Sequence, residues 1–360
     1  MERRDFIRTV AAGIGAAAVV PPAQAVEAVP GPEPMIVPDN VVPRPGSVTA
    51  GIPQHPGMKY RALGRTGEAV SLVGMGGFHL AKPGGMSTDE AVRVVHAGLD
   101  AGINFCDNCW DYNGGESEIR LGRALAQGGY RRKVFLMTKI DGRTAQAAMG
   151  QIETSLSRLQ TDHLDLLQFH EIIRPDDPAR VFAAGGAIEA VLKAREQGKL
   201  RYIGFTGHKS PAIHASMFET ADRHGFHFDT VQMPLNIMDA HYNSFEKTVV
   251  PMAVARQTGI IGMKAFGDPF ILHSRVMPPI QMLQYPMSLP ISIQVTGIDG
   301  MDILHQALDA VRRYAPPTPE FRAALLARSA EVAMTGRTER YKTTGHFDGT
   351  NQNPQWLTQA

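Results

Sequence analysis

Polar residues stand at the ends of successive strand-like runs in the middle of this 360-residue chain. Asp107 follows Ile-Asn-Phe-Cys, Lys139 follows Val-Phe-Leu-Met-Thr, and His170 follows Leu-Asp-Leu-Leu-Gln-Phe; Tyr112 comes five residues after Asp107. Helix-like stretches separate these runs. An alternation of strands and helices with polar residues at the carboxyl ends of strands is typical of a (β/α)8 barrel. The pattern therefore predicts an α/β protein with an active site at one mouth of such a barrel.

The pairing of a tyrosine with a lysine indicates acid-base chemistry. A nearby ammonium group favours phenolate and lowers the pKa of a phenol. We therefore expect Lys139 to lower the pKa of Tyr112, so that the phenol is a usable proton donor near working pH.

Five stretches carry a family resemblance: Tyr60-Arg61-Ala62-Leu63-Gly64-Arg65-Thr66-Gly67, the segment from Gly102-Ile103-Asn104-Phe105 through Tyr112, Met137-Thr138-Lys139, Asp165-Leu166-Leu167-Gln168-Phe169-His170 and Tyr202-Ile203-Gly204-Phe205. Over about residues 58–315 the chain resembles the aldo-keto reductases. The resemblance implies an NAD(P)-dependent oxidoreductase that interconverts a small-molecule carbonyl, an aldehyde or a ketone, with an alcohol. Tyr112 would be the general acid and base, Asp107 would pair with Lys139, and His170 would orient the carbonyl.

The boundaries of the barrel elements follow from the hydrophobic runs and the helix start and stop signals. Residues 59–67 and 68–72 predict a hairpin, which in the family closes the bottom of the barrel. The predicted barrel strands are 72–76, 104–107, 134–139, 164–170, 202–206, 230–233, 260–264 and 291–296, and the predicted helices start near 87 and 116 and span 144–159, 187–197, 210–223 and 301–313. The connections 171–186 and 266–289 are long, as functional loops often are.

No Gly-x-Gly-x-x-Gly segment and no P-loop are present, so a doubly wound dinucleotide site is not expected. The resemblance instead implies a dinucleotide extended across the strand ends. Its expected contacts are Gly76, Thr206, Gly207, Gln232, Lys264, Ala265, Phe266, Gly267, Thr296, Gly297 and Asp299. Two positions depart from the family pattern: Gly207 lacks a side-chain amide, and Asn236 stands where an aromatic residue is common.

The segment after the last predicted strand bears on cofactor choice. Relatives that prefer NADP carry basic residues there, whereas residues 296–304 contain no lysine or arginine. Asp299 would repel a 2′-phosphate and suits a free ribose hydroxyl. The sequence therefore favours NAD over NADP as the cofactor.

The amino terminus has the pattern of an export signal. Arg3-Arg4 precedes the apolar residues 10–20, which are too few to span a bilayer, and Ala23-Gln24-Ala25 resembles a cleavage site. We expect a twin-arginine signal over 1–25, export by that machinery to the periplasm, and no stable membrane insertion after cleavage. An uncleaved leader is the alternative. Residues 26–57 contain eight prolines and predict a linker or a strap on the barrel surface.

The predicted barrel domain spans residues 58–334, and the polar tail 335–360 is either a lid over the barrel mouth or a disordered terminus. The formal charge of +1 and the absence of a basic run argue against a nucleic-acid partner.

Cys106 and Cys109 have a C-x-x-C spacing. We favour the interpretation that both are small packing residues over a redox pair or a disulfide. With no supporting His/Asp cluster in the sequence, no metal site is predicted. Two other functions remain open: a regulatory barrel that binds a dinucleotide with little turnover, and a non-redox barrel hydrolase.

Overall fold

The computed structural model describes residues 38–267 and 269–359, so the predicted signal 1–25 and the first part of the linker lie outside the described residues. After a short hairpin of β1 (Tyr60–Ala62) and β2 (Ala69–Ser71), the chain forms the strands β3 (Val73–Gly76), β4 (Phe105–Asp107), β5 (Phe135–Ile140), β6 (Leu164–Phe169), β7 (Leu200–Thr206), β8 (Thr230–Pro234), β9 (Gly259–Met263) and β10 (Ile293–Gly297). The last eight of these are parallel and form a closed barrel in the order β10-β3-β4-β5-β6-β7-β8-β9. The predicted (β/α)8 fold is confirmed.

The strands form where apolar runs are buried on both faces, as parallel sheets covered by helices require. Every residue of β5 and of β6 is buried. Because all eight strands run the same way, their carboxyl ends meet at one mouth, where residues 107, 139 and 170 were expected.

Helices surround the barrel and extend past it at the carboxyl terminus. They are α1 (Thr88–Asp100), α2 (Glu116–Leu125), α3 (Ala145–Leu159), α4 (Asp177–Phe182), α5 (Ala187–Glu196), α6 (Pro211–Arg223), α7 (Phe245–Ala255), α8 (Phe270–His273), α9 (Pro279–Met287), α10 (Met301–Arg312), α11 (Pro319–Ala333), α12 (Arg340–Thr343) and α13 (Gly349–Gln352). The segments 171–186 and 266–289 are therefore not plain loops, since they contain α4, α8 and α9. No helix in the described ranges is long and apolar enough to cross a membrane.

A hairpin closes the amino-terminal end of the barrel, as predicted. β1 (Tyr60–Ala62) pairs antiparallel with β2 (Ala69–Ser71). Leu63, at the turn of this hairpin, is fully buried in a cluster with Phe105, Phe135 and Ile261, which line the lower barrel interior. The hairpin thus fills the end of the barrel opposite the predicted active site.

The described part of the predicted linker, residues 38–57, lies along this hairpin. Asp39 forms an ion pair with Arg61 at 2.7 Å, and the Glu68 carboxylate accepts hydrogen bonds from the backbone N–H and the hydroxyl of Thr49. These contacts fasten residues 38–57 to the bottom of the barrel, away from the strand ends that carry the candidate site.

The tail 335–359 is folded and packs against the barrel mouth. Tyr341, Lys342, Asp348 and Thr350 are all buried. Lys342 Nζ lies 2.6 Å from Asp239 Oδ1, in the segment after β8. This arrangement does not fit a disordered terminus, and whether the tail acts as a lid stays a prediction.

Candidate active site

The four residues expected to be catalytic meet at the carboxyl mouth of the barrel. Asp107 ends β4, and Lys139 is the penultimate residue of β5. His170 follows β6 directly, and its backbone N–H donates to the carbonyl of Ile140 at 2.8 Å. Strand register therefore brings together side chains that are up to 63 positions apart in the sequence.

Lys139 is the centre of a buried polar cluster. Its ammonium group forms an ion pair with Asp107 Oδ1 and donates to the carbonyl of Asn108 at 2.7 Å. The third donor direction of Nζ points at the hydroxyl of Tyr112, 3.1 Å away. The other carboxylate oxygen of Asp107 accepts a hydrogen bond from Gln232 Nε2 at 2.6 Å. The ammonium group of Lys139 is thus fixed by Asp107 and directed at the phenol oxygen.

A tight turn after β4 places Tyr112. Asn113, Gly114 and Gly115 follow it with φ of 54°, 67° and 91°, a left-handed sequence that glycine adopts without steric cost. The Asn113 amide donates to the carbonyl of Phe78 at 2.8 Å, and the Phe78 ring meets Tyr112 edge-on at 5.5 Å. These contacts hold the phenol at the rim of the barrel mouth.

The expected lowering of the Tyr112 pKa is not found. Burial raises the pKa of this phenol well above its usual value, and the negative charge of Asp107 raises it further. Lys139 does not reverse the shift because its own charge is paired with Asp107. At neutral pH Tyr112 therefore carries its proton, the form that a proton donor needs.

His170 is flanked by acidic residues. Its Nδ1 lies 2.9 Å from Asp141 Oδ1 and 3.7 Å from Asp111 Oδ1, and its ring meets Tyr112 edge-on at 5.8 Å. Desolvation by burial lowers the pKa of His170, but the charges of Asp141 and Asp111 outweigh it, so the net shift is upward. The sequence had not singled out Asp111 or Asp141; each stands within two residues of a predicted catalytic side chain.

Two expected cofactor contacts present buried atoms without protein partners. Thr206 ends β7 opposite Gln232 on β8, and neither Thr206 Oγ1 nor Gln232 Oε1 has a hydrogen-bond partner among the described residues. Buried polar atoms in folded proteins are nearly always hydrogen-bonded. These two atoms therefore indicate a ligand with an amide or hydroxyl group at this place.

Gly207 cannot be replaced by a larger residue without rearrangement. A Cβ at this position would lie 2.4 Å from the carbonyl oxygen of Ile172 and 2.8 Å from Cε1 of His214. The asparagine side chain that relatives carry here is therefore incompatible with the local packing. Glycine at position 207 is therefore required by the packing around it. The polar side chains that remain here are those of Thr206 on β7 and Gln232 on β8.

The departure at Asn236 is also explained by packing. Its amide donates to the hydroxyl of Tyr341 at 2.8 Å and to the carbonyl of Lys264 at 3.2 Å. The tail thus places the aromatic side chain of Tyr341 beside Asn236, the position where an aromatic residue was expected. Lys264 Nζ lies 5.6 Å from the centre of the Tyr341 ring and 5.2 Å from that of Phe347.

The remaining expected cofactor contacts follow the strand ends around the mouth. Gly297 pairs with Gly76, and Gly76 pairs with Asp107, which joins the two ends of the strand series. Ala265, Phe266 and Gly267 follow β9, Thr296 lies within β10, and Asp299 is exposed before α10. The structure gathers all of these positions at the carboxyl end of the barrel.

The two cysteines have different surroundings. Both are free and buried, and Cys106 packs in the core. Cys109 instead lies with its Sγ 3.3 Å from Nδ1 of His170. The expectation that no histidine or aspartate cluster supports these cysteines is wrong for Cys109, because Asp111, Asp141 and His170 surround it.

Comparison with known proteins agrees with this geometry. The family model for the aldo/keto reductase family matches residues 72–283, more than half of the chain. The chain belongs to the aldo/keto reductase family. The matched segment begins just before β3 and ends within α9, so it includes all four candidate catalytic residues.

Three curated relatives match part of this chain. The chain is 31% identical over 225 residues to the uncharacterized oxidoreductase YrpG of Bacillus subtilis, covering 57% of this chain and 65% of YrpG. It is 34% identical over 158 residues to L-galactose dehydrogenase of Arabidopsis thaliana (42% and 49%), and 33% identical over 170 residues to 6-dehydroglucose reductase of Novosphingobium aromaticivorans (43% and 54%). The matches thus span from 49% to 65% of the length of these relatives.

A solved structure supports the fold. The holo form of aldo-keto reductase AKR11C1 from Bacillus halodurans superposes with a TM-score of 0.63 at 23% identity, covering 78% of this chain and 99% of that one. At this identity the likeness extends to the architecture of the barrel.

Proposed function

We propose that this aldo/keto reductase family member is an NAD(P)-dependent oxidoreductase that interconverts a small-molecule carbonyl, an aldehyde or ketone, and an alcohol. The observation that carries the proposal is the hydroxyl of Tyr112, 3.1 Å from Lys139 Nζ, with Lys139 fixed in turn by Asp107. A phenol held against a buried ammonium group is a proton donor whose conjugate base is stabilised where it forms.

In the reduction direction, Tyr112 transfers its proton to the carbonyl oxygen while a hydride adds to the carbonyl carbon. The phenolate that remains lies next to Lys139, whose positive charge offsets it. A bound nicotinamide supplies the hydride. His170, whose ring meets that of Tyr112 edge-on, donates a hydrogen bond to the same oxygen and orients the carbonyl for attack.

Burial holds the phenol of Tyr112 in its protonated form at neutral pH, which is the reactant state for proton donation in carbonyl reduction. Lys139 Nζ, 3.1 Å from the phenol oxygen, is the group placed to stabilise the phenolate that forms.

The residues at the strand ends fit a nicotinamide. Gln232 Oε1 is an acceptor for a carboxamide NH2, and Thr206 Oγ1 is able to donate to or accept from the same group. Gln232 Nε2 donates to Asp107, and Gln232 Oε1 is the atom without a partner among the described residues. The carboxamide would thus be bound by the side chains of Thr206 and Gln232.

For the cofactor, we propose a preference for NAD. Asp299 is exposed just before α10, and residues 296–304 bring no positive charge to that end of the site. Titration of apoprotein with both cofactors decides the question, and tighter binding of NADP by tenfold, about 1.4 kcal/mol, would contradict the proposal. Asp299→Arg is expected to shift the preference toward NADP, whereas Asp302→Arg, on the first turn of α10, serves as the control.

The decisive experiment removes one oxygen atom. Tyr112→Phe is expected to keep the fold and dinucleotide binding but to lower carbonyl reduction by at least about 10²-fold, the usual contribution of a general acid. Tyr130→Phe is the matched control, because its hydroxyl also bonds a partner, Asp100 at 2.7 Å, but lies at the opposite end of β5. Near-normal turnover in Tyr112→Phe would refute the catalytic assignment, and tight dinucleotide binding by the wild type without turnover of any carbonyl would favour a regulatory barrel.

We also propose that the protein is exported by the twin-arginine machinery and works in the periplasm. The support is the Arg3-Arg4 pair, the weakly apolar residues 10–20 and the Ala23-Gln24-Ala25 site. Cell fractionation and amino-terminal sequencing test this. A cytoplasmic protein with residues 1–25 intact would contradict it.

A further inference from the structure

A second group of side chains at the barrel mouth has the composition of a metal centre. Cys109 and Asp111 lie in the turn after β4, Asp141 follows β5, and His170 follows β6. One potential ligand atom from each lies within 4.8 Å of all the others. Within the described residues, this is the only group of histidine, cysteine and carboxylate side chains with that property.

The distances suit a tetrahedral ion. From Nδ1 of His170, Asp141 Oδ1 is 2.9 Å away, Cys109 Sγ 3.3 Å and Asp111 Oδ1 3.7 Å. Zinc bonds of about 2.0–2.3 Å in tetrahedral geometry place neighbouring ligand atoms about 3.3–3.6 Å apart. The distances from Nδ1 of His170 lie on both sides of this range, and all the other pairs of ligand atoms are within 4.8 Å of one another.

Hydrogen bonds orient the members of this group: Nδ1 of His170 lies at hydrogen-bond distance from Asp141 Oδ1 and Cys109 Sγ, contacts that a bound metal ion would replace. The Trp110 indole N–H donates to Oδ2 of Asp141 at 2.6 Å, which orients that carboxylate with Oδ1 toward His170. Asp111 Oδ1 is buried and has no hydrogen-bond partner among the described residues. A hydrogen bond from the protein to the outer oxygen of a metal-binding carboxylate is common in metal sites.

Two cationic side chains near the group, those of Lys139 and Arg143, form ion pairs with other carboxylates. Lys139 is paired with Asp107, and Arg143 binds Asp177 Oδ1 at 3.0 Å and the backbone carbonyls of Asp141 and His170 at 2.7 Å each. Within the described residues, the carboxylates of Asp111 and Asp141 thus form no ion pair with a lysine or arginine, and both flank the ring of His170. A bound metal ion would offset the charge of the two carboxylates and take up the Cys109 sulfur as a thiolate.

We propose that Cys109, Asp111, Asp141 and His170 bind one divalent transition-metal ion of the zinc type. A sulfur, a nitrogen and two oxygens form a donor set that suits Zn²⁺ and Co²⁺ and disfavours Mg²⁺ and Ca²⁺. Coordination through Nδ1 fixes the tautomer of His170 and leaves its Nε2–H free to face the barrel mouth. The inference rests on the ligand geometry alone and does not depend on carbonyl reduction.

Cobalt provides a direct test, because a Co²⁺–thiolate bond has its own charge-transfer absorption. The full-length protein, stripped with a chelator and titrated with CoCl₂ under reducing conditions, is expected to bind one Co²⁺ per chain with that band and to release it on addition of ZnCl₂. Absence of binding at micromolar metal, or binding without the thiolate band, would overturn the proposal.

The chain offers a matched control for the cysteine. Cys109→Ala is expected to lose the thiolate band, whereas Cys106→Ala, which removes an equally buried thiol three positions away, is expected to keep it. Asp111→Asn is expected to weaken Co²⁺ binding by at least about tenfold. If Cys109→Ala fails to fold, Asp111→Asn still tests the metal site, because Asp111 is less buried than Cys109. Unchanged affinity in a folded Asp111→Asn and an unchanged band in a folded Cys109→Ala would each contradict the site.

Carbonyl reduction by the same variants separates the two proposals. Metal binding in a protein that reduces no carbonyl would leave the metal site standing and remove the proposed function. Carbonyl reduction by a protein that binds no metal would support the proposed function and contradict the metal site.

Discussion

The carboxylate of Glu171 accepts two hydrogen bonds from Thr350, one from its backbone N–H and one from its hydroxyl, both at 2.7 Å. Glu171 also accepts from the N–H of Gly349 at 2.9 Å and follows His170 directly. It has a φ of 47°, a conformation that is uncommon for residues other than glycine. The tail is therefore fastened to the residue next to a proposed catalytic side chain.

This link gives a test of the tail as a lid. Thr350→Val keeps the shape of the side chain but removes the hydroxyl donor, and a hydrogen bond to a charged group contributes about 1.5–3 kcal/mol. We expect the KM for a carbonyl substrate to rise by about tenfold while kcat changes little. Steady-state kinetics measure both values.

Thr344→Val is the control for this change, because the Thr344 hydroxyl bonds only within the tail, to the carbonyl of Arg340 at 2.9 Å. It is expected to leave KM near the wild-type value. Equal KM values for Thr350→Val and the wild type would mean that the tail packs on the mouth without acting on substrate binding.

The unpartnered hydroxyl of Thr206 supports a second prediction, about the cofactor. Thr206→Val removes a buried polar atom that has no hydrogen-bond partner in the described part of the chain, so we expect the free energy of unfolding to stay level or rise by about 1 kcal/mol. The dissociation constant for the dinucleotide should instead rise by about tenfold, because one contact to the carboxamide is lost. Chemical denaturation and fluorescence titration measure the two quantities.

Thr138→Val is the control for Thr206→Val, because the Thr138 hydroxyl does have a hydrogen-bond partner. Thr138 is also a buried strand residue, but its hydroxyl donates to Glu118 Oε1 at 2.6 Å. Removing it leaves a buried carboxylate without this donor and should lower the free energy of unfolding by about 1–3 kcal/mol. If Thr206→Val destabilises the protein as Thr138→Val does, Thr206 has a structural role and is not a cofactor contact.

Much of this site could be predicted because its determinants are local. The runs before Asp107, Lys139 and His170 are apolar and end in polar residues, so each strand end is visible in the sequence. The barrel then brings these ends together whatever the intervening helices contain. The pairing of Thr206 with Gln232 follows in part from the same pattern: Thr206 ends β7, whereas β8 continues for two residues past Gln232.

What the sequence did not reveal depends on contacts between distant segments. Glu171 and Thr350 are 179 positions apart, and nothing near either residue indicates the other. The group around Cys109 combines the ends of three strands, so it lacks the short ligand spacing of a metal motif. The pKa of Tyr112 likewise depends on burial, which outweighs the nearby lysine and is not visible in a linear pattern.

The third prediction concerns acid stability and a buried histidine. Burial lowers the pKa of His214 from its usual value to about 4, and the ring packs against Phe205 and Phe245. The unfolded chain, with a histidine pKa of about 6.5, binds a proton between about pH 6.5 and 4 that the folded chain does not. Stability is therefore present above about pH 6.5 and is lost as the pH falls through this window, by about 2 kcal/mol at pH 5 for this one group.

Urea denaturation at pH 7 and pH 5 measures that loss. His214→Gln is expected to be less stable than the wild type at pH 7 but to lose less on acidification, because the group that titrates is gone. His224→Gln removes an exposed histidine just after the same helix and controls for histidine loss as such. An identical pH dependence in His214→Gln and the wild type would show that other groups govern acid stability.

The last prediction concerns release of the cofactor. An enzyme that folds before export and then works outside the cytoplasm needs a dinucleotide that does not escape, because a lost molecule has no free pool to replace it. We expect the tail to retain it, because the ring centres of Tyr341 and Phe347 lie 5.6 Å and 5.2 Å from Lys264 Nζ, in the segment that we expect to run along the pyrophosphate.

We therefore expect the mature protein to be purified with nearly one nicotinamide dinucleotide per chain that survives dialysis. Its kinetics should be ping-pong, as one substrate is oxidised and another reduced on the same bound cofactor. Thr350→Val should release the dinucleotide at least about tenfold faster in a stopped-flow chase, since undocking of the tail precedes release. Thr344→Val should release it at the wild-type rate. Apoprotein that requires added cofactor in every assay would contradict retention, and equal release rates for wild type and Thr350→Val would show that the tail is not what retains it.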